Sequence, residues 1–286
     1  MKRCQKAVAI SCLAIATLFT STNIAKSTIP KSTTGADVKL IGLTSANGLV
    51  SFSAKAPTQI KTIQVTGLDG KLIGIDHRPA NGLLYGLTSR SQLYTINPQT
   101  GAATLVSSLA KPLSSDAKVS IDFNPVPDRL RLVDSNGGNF RVNVDTGEMI
   151  TDQPLGYMAD DPNAGKTPAI TAIAYTNAFI GPPSPAGVTP PTRTAQMFDL
   201  DTALNILVQQ NPPNDGRLKT IGALNVNFSP TVGLDIFSRQ PGENTAFAVS
   251  GSTLYTINLG TGATAALGSI GNGKLGLIDL AAAPMP

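Results

Sequence analysis

Short apolar runs recur along the chain, and four of them close on an aspartate: Lys71–Asp76, Val119–Asp122, Val232–Asp235 and Lys274–Asp279. A fifth run, Ile170–Ala174, holds the same place without the acid, and the five are spaced about 44 to 61 residues apart. After Asp76 come a Pro/Asn/Gly turn, LLYGLT (83–88), QLYTIN (92–97), a turn at 98–101 and ATLVSSL (103–109). The unit after Asp235 repeats this order with TAFAVS, STLYTIN, a turn at 259–262 and ATAALGSI. The unit after Asp122 supplies RLRLVD, NFRVNV, a turn at 145–147 and a fourth run near 148–155. Runs rich in Val, Ile, Leu, Tyr and Thr suit a half-buried pleated surface and predict four short strands per unit. Gly101, Gly147 and Gly262 fall where a hairpin turn wants positive φ, which glycine adopts without a Cβ penalty. Four strands about every 45 residues is the period of a β-propeller blade.

The ends bear on closure. Residues 40–66 contain three strand-like runs but lack the opening run, and residues 275–281 supply one and then stop. Pairing the two completes a blade and removes the free sheet edges that invite aggregation. The expected fold class is therefore all-β, a closed β-propeller of five four-stranded blades with one blade shared between the termini. A sandwich of two stacked sheets is the alternative. The fourth unit departs from the pattern: its second strand is poorly defined, and 181–193 carries five prolines, which cannot donate to a ladder. That stretch reads as a long exposed loop.

Composition changes with the N-terminus. Lys2, Arg3 and Lys6 precede an uncharged run, Ala7–Phe19, and then small and polar residues, the order of a secretory signal peptide. The run is short for a span of about 20 residues. The expected organisation is a signal peptide at 1–25, a linker at 26–36 and a single propeller domain at 37–286, in the periplasm or secreted. Both cysteines, Cys4 and Cys12, lie in the leader, so the mature chain has no thiol chemistry. Loss of three cations leaves 19 basic against 18 acidic residues, a charge of about +1. No clustered Lys and Arg point to nucleic acid, and no stable membrane span is expected after processing.

His77 is the one histidine, too few for a zinc or copper site, and it reads as a hydrogen-bonded turn residue. The repeated Asp76, Asp122, Asp235 and Asp279 have two readings: a ring of carboxylates around a cation, or acceptors for the backbone of the turn that follows each. The second is favoured because they recur beside turns. In the loop 160–168, Gly165-Lys166-Thr167 mimics the end of a phosphate loop, but Asp160 replaces the earlier glycine. Asp160, Asp161 and Asn163 do not match calcium-loop spacing, and Asx turns fit better. Arg129, Arg131 and Arg141 read as a solvated stripe paired with Asp128 and Asp134.

The stretches LIGIDHRPANGLLYGLTSRSQLYTINPQTGAATLV, IDFNPVPDRLRLVDSNGGNFRVNVDTGE and YMADDPNAGKTPAITAIAYTN resemble the bacterial exported family catalogued as domain of unknown function 4394. The resemblance covers roughly residues 37 to 283 and departs at the Pro-rich 181–193. It implies a β-propeller and no established activity.

The functional expectation is a binding or scaffold module rather than an enzyme, with no cofactor, no metal and no catalytic residue assigned. Its partner would be an extracytoplasmic protein or a small ligand, and a monomer is expected. The alternative is a carbohydrate-active or other hydrolytic enzyme with a polar site at the propeller axis. Loops that enter the innermost strands should gather on one face with those joining second and third strands. There the candidate binding residues are Asp116, Lys118, Asp160, Asp161, Asn163 and Lys166, with 136–138 and the Pro-rich stretch nearby. The turns at 98–101, 145–147 and 259–262 should lie opposite and serve only to reverse the chain.

Overall fold

The computed structural model describes Met1 and residues 37–114, 117–183 and 193–283. The leader and linker after Met1, Asp116 and most of the Pro-rich stretch lie outside the described residues.

Strands dominate, and they fall into five sheets. The chain begins with β1 (Lys39–Thr44), β2 (Gly48–Ser53) and β3 (Ala56–Gln64). Blade 2 follows as β4 (Leu72–His77), β5 (Leu84–Thr88), β6 (Gln92–Ile96) and β7 (Ala103–Ser108). Blade 3 is β8 (Val119–Asn124), β9 (Arg129–Asp134), β10 (Asn139–Val142) and β11 (Met149–Thr151). A two-residue strand, β12 (Gly156–Tyr157), leads into blade 4: β13 (Ile170–Tyr175), β14 (Met197–Asp201), β15 (Ile206–Gln210) and β16 (Arg217–Ala223). Blade 5 is β17 (Val232–Ser238), β18 (Asn244–Ser250), β19 (Thr253–Ile257) and β20 (Thr264–Ser269). The last strand, β21 (Leu277–Ala282), returns to blade 1 and pairs antiparallel with β1, placing Ala281 opposite Ile41. The ring closes as the two terminal segments predict. One addition is β12, which pairs parallel to the outer edge of β16 and gives blade 4 a fifth strand.

The innermost strands β21, β4, β8, β13 and β17 neighbour one another in a ring. Their continuous apolar character follows from position: β13 and β17 are buried at every residue, whereas β7 and β20 are not fully buried at any. Side chains alternate along a strand, so each strand feeds two seams. In β5, Leu84 packs with Leu72 and Ile41 against blade 1, while Tyr85 and Leu87 pack with Ile121 and Phe123 against blade 3. The core is accordingly five apolar clusters, one per seam between blades.

The glycines of the third turns do more than reverse the chain. Gly101, Gly147 and Gly262 have φ of 76°, 75° and 76°. A Cβ on them would strike the carbonyl oxygens of Gln64, Ser108 and Gly222, at the outer edge of the preceding blade. The contact is made by backbone: Thr66 N–H donates to Gly101 O and Ala110 N–H to Gly147 O, each at 2.9 Å. These turns fasten each blade to its predecessor, a role their sequence likeness did not reveal.

The Pro-rich connection joins β13 to β14, the first and second strands of blade 4. Its described first residues, 181–183, follow the end of the innermost strand β13; residues 184–192, on which the expected placement falls, lie outside the described residues. Gly181 N–H donates to Pro79 O in the β4–β5 turn.

Candidate functional site

An innermost strand has a neighbour on one side only, so the N–H groups on its axial edge need acceptors from elsewhere. The repeated aspartates supply them, each across a seam. Asp279 accepts from Ile75 N–H (2.8 Å), Asp76 from Phe123 N–H (2.7 Å), Asp122 from Tyr175 N–H (2.9 Å) and Asp235 from Ala282 N–H (2.5 Å). Four of the five seams carry this latch. The exception runs from β13 to β17, where Ala174 takes the place of the acid and packs with Leu234 and Ile236. The role is structural, but the expected donor differs: the bonded backbone N–H belongs to the next blade's strand, not to the following turn.

The latches crowd negative groups at the axis. One carboxylate oxygen from each of Asp76, Asp122 and Asp235 lies within 4.8 Å of the others. All four acids are at most 6% exposed. Burial pushes every one of them up, Asp235 to about 6 and Asp279 to about 8; repulsion from Asp235 adds to the rise at Asp76, Asp122 and Asp279. Such a cluster can share protons or hold a cation; the backbone N–H bonds already account for its recurrence. His77 places Nδ1 3.3 Å from Gly82 O, in the turn after its strand, and burial lowers its pKa to about 4, so it is neutral.

Above this ring, where the innermost strands begin, lies a pocket of about 460 Å³. Every blade contributes to it: Ser45 and Ile278 from blade 1, Lys71, Ile73 and Ser89 from blade 2, Lys118 and Val119 from blade 3, Thr171 from blade 4, Thr231 and Val232 from blade 5. Its floor is aliphatic and its rim polar. The four aspartates do not line it. Of the residues picked from sequence, Lys118 is here; Lys71, Ser45, Ser89, Thr171 and Thr231 were missed. Lys71, Lys118 and Thr231 stand immediately before the first strands of their blades, a repeat position that could have singled them out.

The loop entering β13 holds itself together. Asp161 accepts from Asn163 N–H, Thr220 N–H and the Thr220 hydroxyl. Asn163 donates to the Thr220 hydroxyl and accepts from the Lys166 ammonium at 2.8 Å. Burial raises the Asp161 carboxyl, but the Thr220 and Asn163 bonds outweigh this and hold it below its ordinary value. Asp160 and Lys166 are exposed. The structure brings Asp161, Asn163 and Lys166 together and leaves Lys118 at the axial pocket.

The arginine stripe is not a solvated face. Arg131 is 1% exposed and donates to Tyr175, Asn139, Asp152 and Asn214 at the seam of blades 3 and 4. Arg141 grips Asp152 with two bonds. The expected partners are engaged elsewhere: Asp128 with Arg78, and Asp134 with its own turn. Alternation was correctly read, but blade packing buries the face on which Arg131 stands.

Fold and site together define a closed five-bladed propeller with a pocket at the start of its axis. The chain belongs to the family described as Domain of unknown function (DUF4394), whose model matches residues 48–281. No curated protein matches it. Among solved structures it is similar to a protein of unknown function from Bacteroides thetaiotaomicron VPI-5482, at 14% identity, 81% of this chain, 58% of that chain and a TM-score of 0.46. An auxiliary nutrient binding protein from the same organism matches at 13% identity, 74% of this chain, 56% of that chain and a TM-score of 0.42. A protein of unknown function from Bacteroides caccae matches at 11% identity, 85% of this chain, 77% of that chain and a TM-score of 0.40. The chain spans less than three fifths of the first two of these proteins. No helix among the described residues is long and apolar enough to cross a membrane.

Proposed function

We propose that this protein is an exported binding module that receives a small solute in the axial pocket. The observation that carries the reading is convergence: all five blades line one concavity of about 460 Å³, with polar groups around an aliphatic floor. Pre-formed concave sites with a few convergent polar groups are where small ligands bind. Lys118 belongs to this site; the exposed Asp160 and Lys166, on the loop entering β13, offer contacts outside it. A hydrolytic site at the axis is disfavoured, because the paired acids there among the described residues are buried and already hold backbone N–H groups. Export rests on the order of charge, apolar run and small residues at the N-terminus.

Calorimetric titration of the purified domain tests the pocket, with D-glucose, D-glucuronate and inorganic phosphate as first probes. At least one should bind, and Thr231→Trp, which fills the pocket from its rim, should abolish that binding without lowering Tm. Silence from all three probes, or binding that survives the plug, rejects the pocket as the site. Intact mass of protein from the native host tests export: cleavage between about residues 20 and 27 is expected, and a mature chain retaining Cys4 and Cys12 contradicts it.

A further inference from the structure

The chemistry of the rim narrows the ligand. Lys71 and Lys118 reach the pocket from adjacent blades, each just before an innermost strand. Neither has an ion-pair partner among the described residues, although Arg78, Arg90, Arg131 and Arg141 all do. No acid among the described residues lines the pocket. Two lysines on the rim of one concavity give it a positive charge, which an anion bound there would offset. Lysine acts here as a point charge rather than a planar fork, so charge is required but a bidentate geometry is not.

The remaining polar groups are hydroxyls. Ser89 Oγ accepts the Lys71 backbone N–H, which leaves its own proton to donate inward. Thr171 and Thr231 stand on blades 4 and 5, across the ring from the two lysines. The Thr231 hydroxyl can donate and accept, as a polyol requires, while the Thr171 hydroxyl donates to Thr202 Oγ1 at 3.2 Å and keeps lone pairs to accept from a ligand. The floor of Ile73, Val119, Val232 and Ile278 offers aliphatic contact to C–H groups. No aromatic ring among the described residues lines the pocket, so they offer a sugar face no stacking and affinity must come from charge and hydroxyl contacts. Burial pushes the axial acids beneath toward their neutral forms, Asp279 to about 8 but Asp235 only to about 6, which lessens their opposition to an anion without removing it.

We propose that the ligand class is a small hydroxylated carboxylate, a sugar acid, bound with its carboxylate between Lys71 and Lys118 and its hydroxyls toward Thr171 and Thr231. This rests on the axial pocket being the binding site.

The test is calorimetric titration of D-glucuronate, with D-glucose as the neutral analogue and inorganic phosphate as the bare oxyanion. D-Glucuronate should bind at least tenfold more tightly than either. Lys71→Gln and Lys118→Gln should each weaken it about three- to fivefold, as an ion pair of this exposure does. Added salt should weaken it further, and Lys55→Gln should change nothing. Both lysines are exposed, and an unchanged Tm verifies that the variants fold. Glucose binding as tightly, and being lost in Thr231→Trp, overturns the ligand class while leaving the pocket in place. Phosphate binding as tightly removes the hydroxyl part of the proposal and overturns it. Binding of D-glucuronate that persists in Thr231→Trp removes the pocket itself.

Discussion

Each axial aspartate performs two opposed acts, taking a neighbour's N–H and bringing a charge into a crowd. The two are separable by substitution. Asp76→Asn keeps an acceptor for Phe123 N–H and removes the charge, whereas Asp76→Ala leaves that N–H buried without a partner. The Ala variant should be less stable than the Asn variant by about 1–3 kcal/mol, the cost of an orphaned buried polar group. Denaturant unfolding measures this, and equal midpoints would mean the latch contributes nothing. The charge has its own signature in pH. Asp279 titrates near 8 in the folded protein against an ordinary 3.8, so the folded state holds the proton more tightly. For a raised pKa, stability is greatest at low pH and is lost as pH climbs through the folded value. His77, lowered to about 4, acts oppositely, but only between about 4 and its ordinary 6.5. The clean window is therefore pH 6.5 to 8.5, where Tm should fall by an amount set by at most about 1.4 kcal/mol per pH unit per group. Asp279→Asn should flatten that slope. A Tm that rises across the window would show that the cluster is neutralised some other way.

At the scale of strands and turns, the repeat was legible wherever one unit copied another. Blades 2, 3 and 5 could be read strand by strand, because apolar runs and turn glycines recur at the same offsets. Blade 4 resisted for a physical reason. Its second strand, β14, carries Asp199 and Asp201, both fully buried, and acids in a buried strand erase the apolar signal. The axial acids were visible as a repeat, but their partners were not, since the donor N–H lies on the next blade about 47 to 53 residues away in three cases. The pocket was nearly invisible: only Lys118 of its rim was picked, because no local motif marks residues that converge from five blades. Arg131 illustrates what packing decides. Its removal takes a donor from Asn139 and Asn214 in the seam of blades 3 and 4 and leaves Asp152 paired with Arg141 alone. Arg131→Leu should cost about 1–3 kcal/mol, the cost of leaving buried acceptors without a donor. Arg129→Leu, on a partly exposed residue of the same strand, should cost less than about 1 kcal/mol. Gly147→Ala meets both a positive φ and the carbonyl of Ser108, and should cost about 1–3 kcal/mol. A neutral result there would mean that blades 2 and 3 are not fastened through this turn.

For the whole molecule the question is whether the ring needs its closing strand. β21 pairs with β1 from Leu40 opposite Ala282 to Thr44 opposite Leu277, and Ala283 N–H donates to Lys39 O at 2.9 Å. Its side chains serve both flanking seams, Leu277 and Leu280 facing blade 5 and Ala281 facing blade 2. It also carries Asp279, which latches Ile75, and receives the latch of Asp235 at Ala282. Removing it therefore breaks two latches, opens two apolar clusters and bares the inner edge of β1. An exposed strand edge beside apolar surface is a template for association between chains. A chain ending after Asn272 should accumulate as aggregate, or as soluble protein with a Tm far below that of the full chain. Adding a synthetic peptide of residues 274–283 during refolding should restore monomeric protein, because the missing strand is short and its pairing site is already formed. A scrambled peptide of the same composition should not. If the shortened chain is monomeric with an unchanged Tm, closure by β21 contributes nothing to stability. If the peptide rescues only when covalently attached, blade 1 does not pre-form without it, and the ring assembles from its last strand rather than closing upon it.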